Sequence, residues 1–108
     1  MKVSLTNNEK NLLIKAVLIR KSKYVGENLT SGKHVDSLEK IRTALLNEPF
    51  EINGFAMHLF KGLINGEIEE MANTNKPLNL SEKEYRRLFV LAGRKFDRKK
   101  WNQLERLN

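Results

Sequence analysis

Cysteine is absent from this 108-residue chain. The absence excludes a disulfide framework, a thiolate metal site and a cysteine nucleophile. It is typical of proteins that work in a reducing compartment. The stretch from Met1 to Thr6 also lacks the apolar core and cleavage site of a secretory signal. We therefore expect a cytoplasmic protein.

Long hydrophobic runs are missing as well. The most apolar stretch, from Leu12 to Ile19, is interrupted by Lys15. It is far shorter than the roughly 20 residues that a transmembrane helix needs. The sequence thus predicts no membrane partner.

Residue patterns that carry catalysis are scarce. His34 and His58 are the two histidines, and neither has a second histidine at the four-residue spacing of a helical zinc site. The acidic group Glu67–Glu70 has no histidine partner, which favours a solvated helix end. The segment Gly32–His34 lacks the spacing of a phosphate-binding loop, and no serine or threonine is linked to an activating base. We predict no metal, no cofactor and no enzymatic activity.

What the chain does contain is enough apolar material for a folded domain. Hydrophobic residues make up 40% of it and charged residues 31%, a balance too apolar for general disorder. The length suits one domain, residues 1–108, with a core of modest size.

Helix signals dominate the first half. Thr6 and Glu9 have the spacing of a capping box, in which each side chain bonds the backbone amide of the other residue. The apolar run that follows Glu9 predicts a helix buried on almost every side. Residues 26–33 have the composition of a loop. A second helix is expected to begin near Asp36 and to end before Pro49. Its predicted apolar stripe consists of Leu38, Ile41, Leu45 and Leu46.

Residues 50–75 allow two interpretations. Asn53-Gly54 and Asn65-Gly66 are both hairpin dipeptides, so Phe50 to Met57 could form short strands around the first of them. The helical spacing of Phe55, Leu59 and Leu63 favours a third helix instead, with Asn53 as its cap. Its end could lie at Asn65-Gly66 or beyond it.

The last third shows the strongest amphipathic pattern. Ser81 and Glu84 form a second capping box. Gly93 is a candidate helix end, and Asp97 a candidate cap for a short final helix. Phe96 and Trp101 are spaced for a hydrophobic staple that would fix a tight corner. The predicted inner faces consist of Tyr85, Leu88, Phe89, Ala92 and Phe96, followed by Trp101, Leu104 and Leu107. The fold class is therefore predicted as all-α, a compact bundle of four or five helices with a tight helix-corner-helix at the C-terminus.

The basic residues carry the one functional signal. The formal net charge is +7, and residues 86–100 hold seven basic residues against the single acid Asp97. Such a cluster can neutralise phosphates and release counterions, which predicts salt-sensitive nucleic-acid binding. Amides at the start of the final helix could add a phosphate contact. The predicted contact residues are Arg86, Arg87, Arg94, Lys95, Arg98, Lys99, Lys100 and Asn102.

Three alternatives stay open. A run of like charges is about as often only a solvated face. The same charge could instead guide a protein-binding regulator or inhibitor to an acidic partner surface. Val90 and Leu91, which lie off the main apolar stripe, would then be exposed contacts unless their helix is buried on two sides. In composition the short, Asn- and Lys-rich, helical chain without cysteine resembles small proteins of AT-rich Gram-positive bacteria and their mobile elements, so a phage or other mobile element could encode such a regulator. A homo-oligomeric helical protein is the third alternative.

Overall fold

The computed structural model describes residues 1–26, 32–74 and 79–107. Within these ranges the fold class is all-α, as predicted, with five helices and one two-stranded sheet. The elements in chain order are β1 (Lys2–Val3), α1 (Asn7–Gly26), α2 (Gly32–Leu45), β2 (Phe50–Glu51), α3 (Gly54–Thr74), α4 (Glu82–Leu91) and α5 (Arg98–Glu105). They divide into two compact units, residues 1–63 and 64–108. The single domain expected over residues 1–108 stays a prediction.

The capping box at the start of α1 is confirmed. The Thr6 amide donates to Glu9 Oε1 at 2.8 Å, and the Glu9 amide donates to Thr6 Oγ1 at 3.2 Å. The prediction that this helix is buried on almost every side is wrong. Leu13 and Val17 are buried, but Leu18 is 50% and Ile19 60% exposed. Near Leu18 and Ile19, the described residues of the chain therefore cover only one side of α1.

Helix α2 begins at Gly32, four residues before the predicted start at Asp36. The early start has a tertiary cause. The His34 ring contacts the rings of Tyr24 and Phe55 edge-on, with centroids 5.7 and 5.3 Å away. These contacts hold the first turn in place although the local cap signals come later. Residues 27–31 of the predicted loop lie outside the described residues.

The buried stripe of α2 is confirmed at Leu38, Ile41 and Leu45. Leu46 is an error in the prediction, since it follows the helix and is 63% exposed. The short strand after Pro49 does not form a hairpin with residues near Met57. It pairs antiparallel with β1, with Val3 opposite Phe50.

The third helix is confirmed: it starts at the first hairpin signal and runs through the second. It begins directly after Asn53 and continues past Asn65-Gly66 to Thr74. Ile64, Ile68 and Met71 are buried at helical spacing on either side of that dipeptide. Burial of this apolar face outweighs the local turn preference of two residues.

Helices α4 and α5 form the predicted corner. Ser81 closes the capping box with Glu84, and Asp97 caps α5 by accepting from the Lys100 amide at 3.0 Å. Trp101 and Leu104 are buried as expected. Leu107 is not, because α5 ends at Glu105 and leaves it 46% exposed.

Candidate nucleic-acid interface at residues 86–100

The outward face of α4 is basic. Its inner face buries Tyr85, Leu88 and Phe89. Side chains three and four residues apart share one side of a helix. The opposite side therefore presents Lys83, Arg86, Arg87 and Val90, of which Arg87 is half-buried and the others are exposed.

Gly93 ends α4 in a left-handed conformation with φ +71. The Gly93 amide donates to the Val90 carbonyl at 3.0 Å, and the Arg94 amide donates to the Phe89 carbonyl at 2.8 Å. This pair of bonds is a Schellman motif, which satisfies carbonyls that a helix end leaves free. Arg94 thus lies beyond the helix. The chain therefore turns between Arg87 and Arg94, and the two residues do not share one helix.

The turn brings Phe96 back against the helix that precedes it. Its ring contacts Tyr85 and Phe89 edge-on, with centroids 6.0 and 5.7 Å away. The guanidinium carbons of Arg86 and Arg98 lie over the Phe96 ring, 4.1 and 5.1 Å from its centre. One half-buried aromatic ring therefore supports two arginines from different helices.

Arg94 and Arg98 already have carboxylate partners. Arg94 Nη1 donates to Glu69 Oε1 at 2.8 Å, and the Arg94 guanidinium also lies 5.7 Å from the Phe89 ring centre. Arg98 pairs with Glu82 near the start of α4. All four of these side chains are partly exposed. Such surface pairs contribute little to stability and exchange readily with other anions.

The lysines of the cluster fall into two groups. Lys95 and Lys99 are exposed and form no ion pair with any residue in the described ranges. Lys100 is half-buried, and its backbone amide is engaged by the Asp97 carboxylate. In this arrangement the Lys100 amide donates to Asp97 and does not make the phosphate contact predicted for the start of the final helix.

Asn102 is exposed on α5, one turn after Arg98 and Lys99. This spacing places it on the same side of the helix as both. Trp101 is the opposite case. It is 5% exposed and packs on Tyr85 with centroids 5.3 Å apart, so it belongs to the core, as predicted.

Tyr85 lies beneath this surface with its side chain fully buried. Its hydroxyl has no hydrogen-bond partner among the described residues. Burial raises the pKa of Tyr85, the negative charge of Asp97 raises it further, and Arg94 opposes the shift. The neutral phenol is therefore the form that the folded chain holds.

The sequence does not predict three partners of these arginines, which are Glu69, Glu82 and the Phe96 ring. Glu69 and Glu82 supply counter-charges from outside the basic run, and Glu69 belongs to a group expected only to be solvated. The sequence predicts Phe96 on the inner face, but its ring also supports the guanidinium groups of Arg86 and Arg98. The sequence does show an aromatic residue between Lys95 and Arg98, which could have indicated a ring that supports arginine. It does not show that Arg86 lies over this ring, because that contact depends on the corner between the helices.

The first unit has a different electrostatic character at its cleft. An open cleft of about 470 Å³ is lined by Asp36, Glu39, Lys40, Thr43, Ala44 and Glu51. Lys21 donates to one oxygen of Glu39, and Arg42 Nη2 donates to the other at 3.0 Å. The hydrogen bonds from Lys21 and Arg42 lower the pKa of Glu39 from 4.5 to about 2. Because Lys21 and Arg42 offset the charge of Glu39, the lining offers no excess of positive charge for a phosphate.

Over residues 1–26, 32–74 and 79–107, no group of three or more His, Asp or Glu side chains is placed to hold a metal ion. No helix in the same ranges is long and apolar enough to cross a membrane. Comparison with known proteins adds no assignment. No protein-family model matches the chain, and no curated protein or solved structure is significantly similar to it.

Proposed function

We propose that this protein binds nucleic acid through the cations around Phe96. The observation that carries the proposal is the pair of exposed guanidinium groups, Arg86 and Arg98, over one ring. A guanidinium stacked on an aromatic ring is held in place but keeps its outward N–H groups for a phosphate. Lys95 and Lys99, next to Phe96 and Arg98 in the chain, add exposed charge.

Two like charges near one ring repel each other, and an anion between them relieves that repulsion. Glu82 does so in part for Arg98. A phosphate diester of a nucleic acid can take the place of such a carboxylate. Its binding also releases counterions that are condensed on the nucleic acid. We expect Asn102, which lies on the same side of α5 as Arg98 and Lys99, to contact a base edge or a sugar.

The proposed interface is narrower than the basic run of the sequence. Arg94 lies near the Phe89 ring and not over Phe96, while Arg87 and Lys100 are half-buried. We therefore assign the main contacts to Arg86, Lys95, Arg98 and Lys99. Few phosphate contacts imply modest affinity with a marked dependence on salt.

Fluorescence anisotropy with labelled duplex DNA, single-stranded DNA and RNA, each at two salt concentrations, tests the proposal. The cluster variant changes Arg86, Lys95, Arg98 and Lys99 to Gln. The matched control changes four exposed lysines of the first unit to Gln, namely Lys2, Lys15, Lys23 and Lys40. Both variants lose the same total charge. Circular dichroism verifies that both are folded.

We expect the cluster variant to lose most of its affinity and the control to lose little. If all four side chains contact phosphates of duplex DNA, the slope of log K against log salt falls in magnitude by about 3.6. Equal losses in the two variants would mean that only net charge matters. No binding by the native chain at low salt would reject the proposal.

Val90 favours a second candidate, a regulator that docks on an acidic protein. It is 71% exposed and lies one turn from Arg86 on the outward face of α4. An exposed aliphatic side chain gains little from contact with a nucleic-acid backbone. A protein partner, by contrast, can bury it in an interface. In a nuclease-treated extract, loss of one acidic partner in Val90→Ser, with unchanged nucleic-acid affinity, would support this candidate.

A further inference from the structure

A second exposed surface lies on α1, in the other unit. Leu13, Ala16 and Val17 face inward and are buried. The opposite side presents Leu18 and Ile19, which are 50% and 60% exposed. Two adjacent aliphatic side chains exposed to this degree on the middle of a helix contribute little to the fold. They are suited to contact another molecule.

Two lysines border this aliphatic pair. Lys15 and Lys23 are exposed, and each is four residues from Ile19, one turn before it and one turn after it. Neither forms an ion pair with a residue in the described ranges, whereas Lys21 on the flank of the helix is bound to Glu39. The surface is thus a small apolar centre with a lysine at each end, and neither lysine is compensated by a carboxylate of residues 1–26, 32–74 or 79–107.

This charge pattern disfavours a second copy of the chain. If two α1 helices packed antiparallel around Ile19, Lys15 of each would lie opposite Lys23 of the other. If they packed in parallel, each lysine would lie opposite itself. Both arrangements place like charges together, which opposes association.

A lipid surface is also a poor fit. Helices that lie in a membrane interface insert a broad apolar face, commonly with aromatic residues. The outward side of α1 offers two aliphatic side chains and no aromatic ring.

We propose that this face of α1 binds an acidic amphipathic helix of a partner protein. An aliphatic residue of that helix would pack between Leu18 and Ile19. Carboxylates one turn on either side of it would pair with Lys15 and Lys23. The site lies in the first unit and does not depend on nucleic-acid binding by the second.

The test uses the full chain, labelled for NMR, and two synthetic helical peptides. The acidic peptide has a central Leu with Glu four residues before and after it on an Ala/Gln background. The basic peptide has Lys in place of both Glu residues. Methyl shifts of Leu18 and Ile19 report binding at the proposed face. The charge-swapped variant is Lys15→Glu with Lys23→Glu, and the control is Leu46→Glu, an exposed leucine elsewhere in the unit.

The native chain should bind the acidic peptide with shifts centred on Leu18 and Ile19, and should bind the basic peptide at least about fivefold more weakly. The charge-swapped variant should show the reverse preference. The Leu46→Glu control should behave like the native chain. These three results together would support the proposal.

Several results would overturn it. One is no methyl shift at Leu18 and Ile19 up to millimolar acidic peptide. Another is a peptide preference that the charge swap leaves unchanged. Dimerisation in sedimentation experiments that is lost in the Leu18→Ser, Ile19→Ser variant would assign the face to a second copy. Binding to phosphatidylserine-containing vesicles that is lost in the same variant would assign it to a membrane.

Discussion

The guanidinium carbon of Arg86 lies 4.1 Å from the centre of the Phe96 ring, although the helix that carries Arg86 ends before Phe96 is reached. Arg98 lies over the same ring from the following helix. The contact therefore joins α4, the turn and α5 at one point. It also fixes the position of two cations that the sequence alone only places in the same basic run.

Phe96→Leu should weaken nucleic-acid binding without changing the charge. Leucine keeps most of the apolar volume but has no π-face to hold the guanidinium groups. An exposed cation–π contact contributes about 0.5–1 kcal/mol, so we expect a loss of about two- to fivefold in affinity for each arginine released. Anisotropy titration at fixed salt measures the loss. Native affinity in a folded Phe96→Leu protein would show that the ring does not position the contact residues.

Gly93→Ala should destabilise the chain by about 1–2 kcal/mol. The residue has φ +71, a conformation in which a Cβ crowds the following carbonyl oxygen. Gly62 offers a matched control of opposite sign. It lies inside α3, where an added Cβ meets no atom within 4 Å, so Gly62→Ala should stabilise by about 0.5–1 kcal/mol. Urea denaturation measures both changes, and two changes of the same sign would contradict this account.

Tyr85→Phe should leave stability unchanged or raise it slightly. The buried hydroxyl has no partner among the described residues, so its removal deletes a desolvated polar group and little else. Tyr85→Ala, by contrast, should cost about 3–5 kcal/mol through the cavity it leaves beside Trp101. Denaturation followed by Trp101 fluorescence compares the two. A loss above about 1 kcal/mol in Tyr85→Phe would indicate a hydrogen bond that the hydroxyl makes in solution.

The raised pKa of Tyr85 also predicts how the stability of the fold changes at alkaline pH. Because folding raises the pKa of Tyr85 above its usual 10.0, the stabilisation of the neutral phenol is complete below pH 10. It is lost as pH rises from there through the folded-state pKa. Tyr85→Phe should therefore show a weaker decline in stability above pH 10 than the native chain. Parallel declines would contradict the assignment.

The lowered pKa of Glu39 predicts how the stability of the fold changes at acidic pH. Its pKa is lowered from 4.5 to about 2 by hydrogen bonds from Lys21 and Arg42. A lowered pKa stabilises the fold above pH 4.5, and this contribution disappears as pH falls toward 2. Glu39→Gln should thus be less stable than the native chain at pH 6 and approach it in stability near pH 2. The control Glu51→Gln removes an exposed carboxylate from the same cleft and should show a smaller difference. A Glu39→Gln difference that does not change with pH would reject this role.

Local chemistry determined where several helices begin and where α4 ends. Thr6 with Glu9 and Ser81 with Glu84 satisfy amides that belong to the same helical turn, so nothing distant is needed to form these caps. Gly93 ends α4 for a similarly local reason, since glycine adopts positive φ without steric conflict. The all-α class, the corner before α5 and the burial of Trp101 followed from such signals together with apolar spacing.

Tertiary contacts decided the rest. The rings of Tyr24 and Phe55 hold His34 and extend α2 to Gly32, and burial of Ile64 and Ile68 carries α3 through a hairpin dipeptide. Spacing along the chain also fails to predict three other features. These are the pairing of Arg94 with Glu69, the stacking of Arg86 on Phe96 and the exposure of Leu18 and Ile19. The sequence by itself determined that seven basic residues fall within residues 86–100. Only the folded chain decided which of them are partnered, because ion pairs and ring contacts form between side chains that the turns bring together.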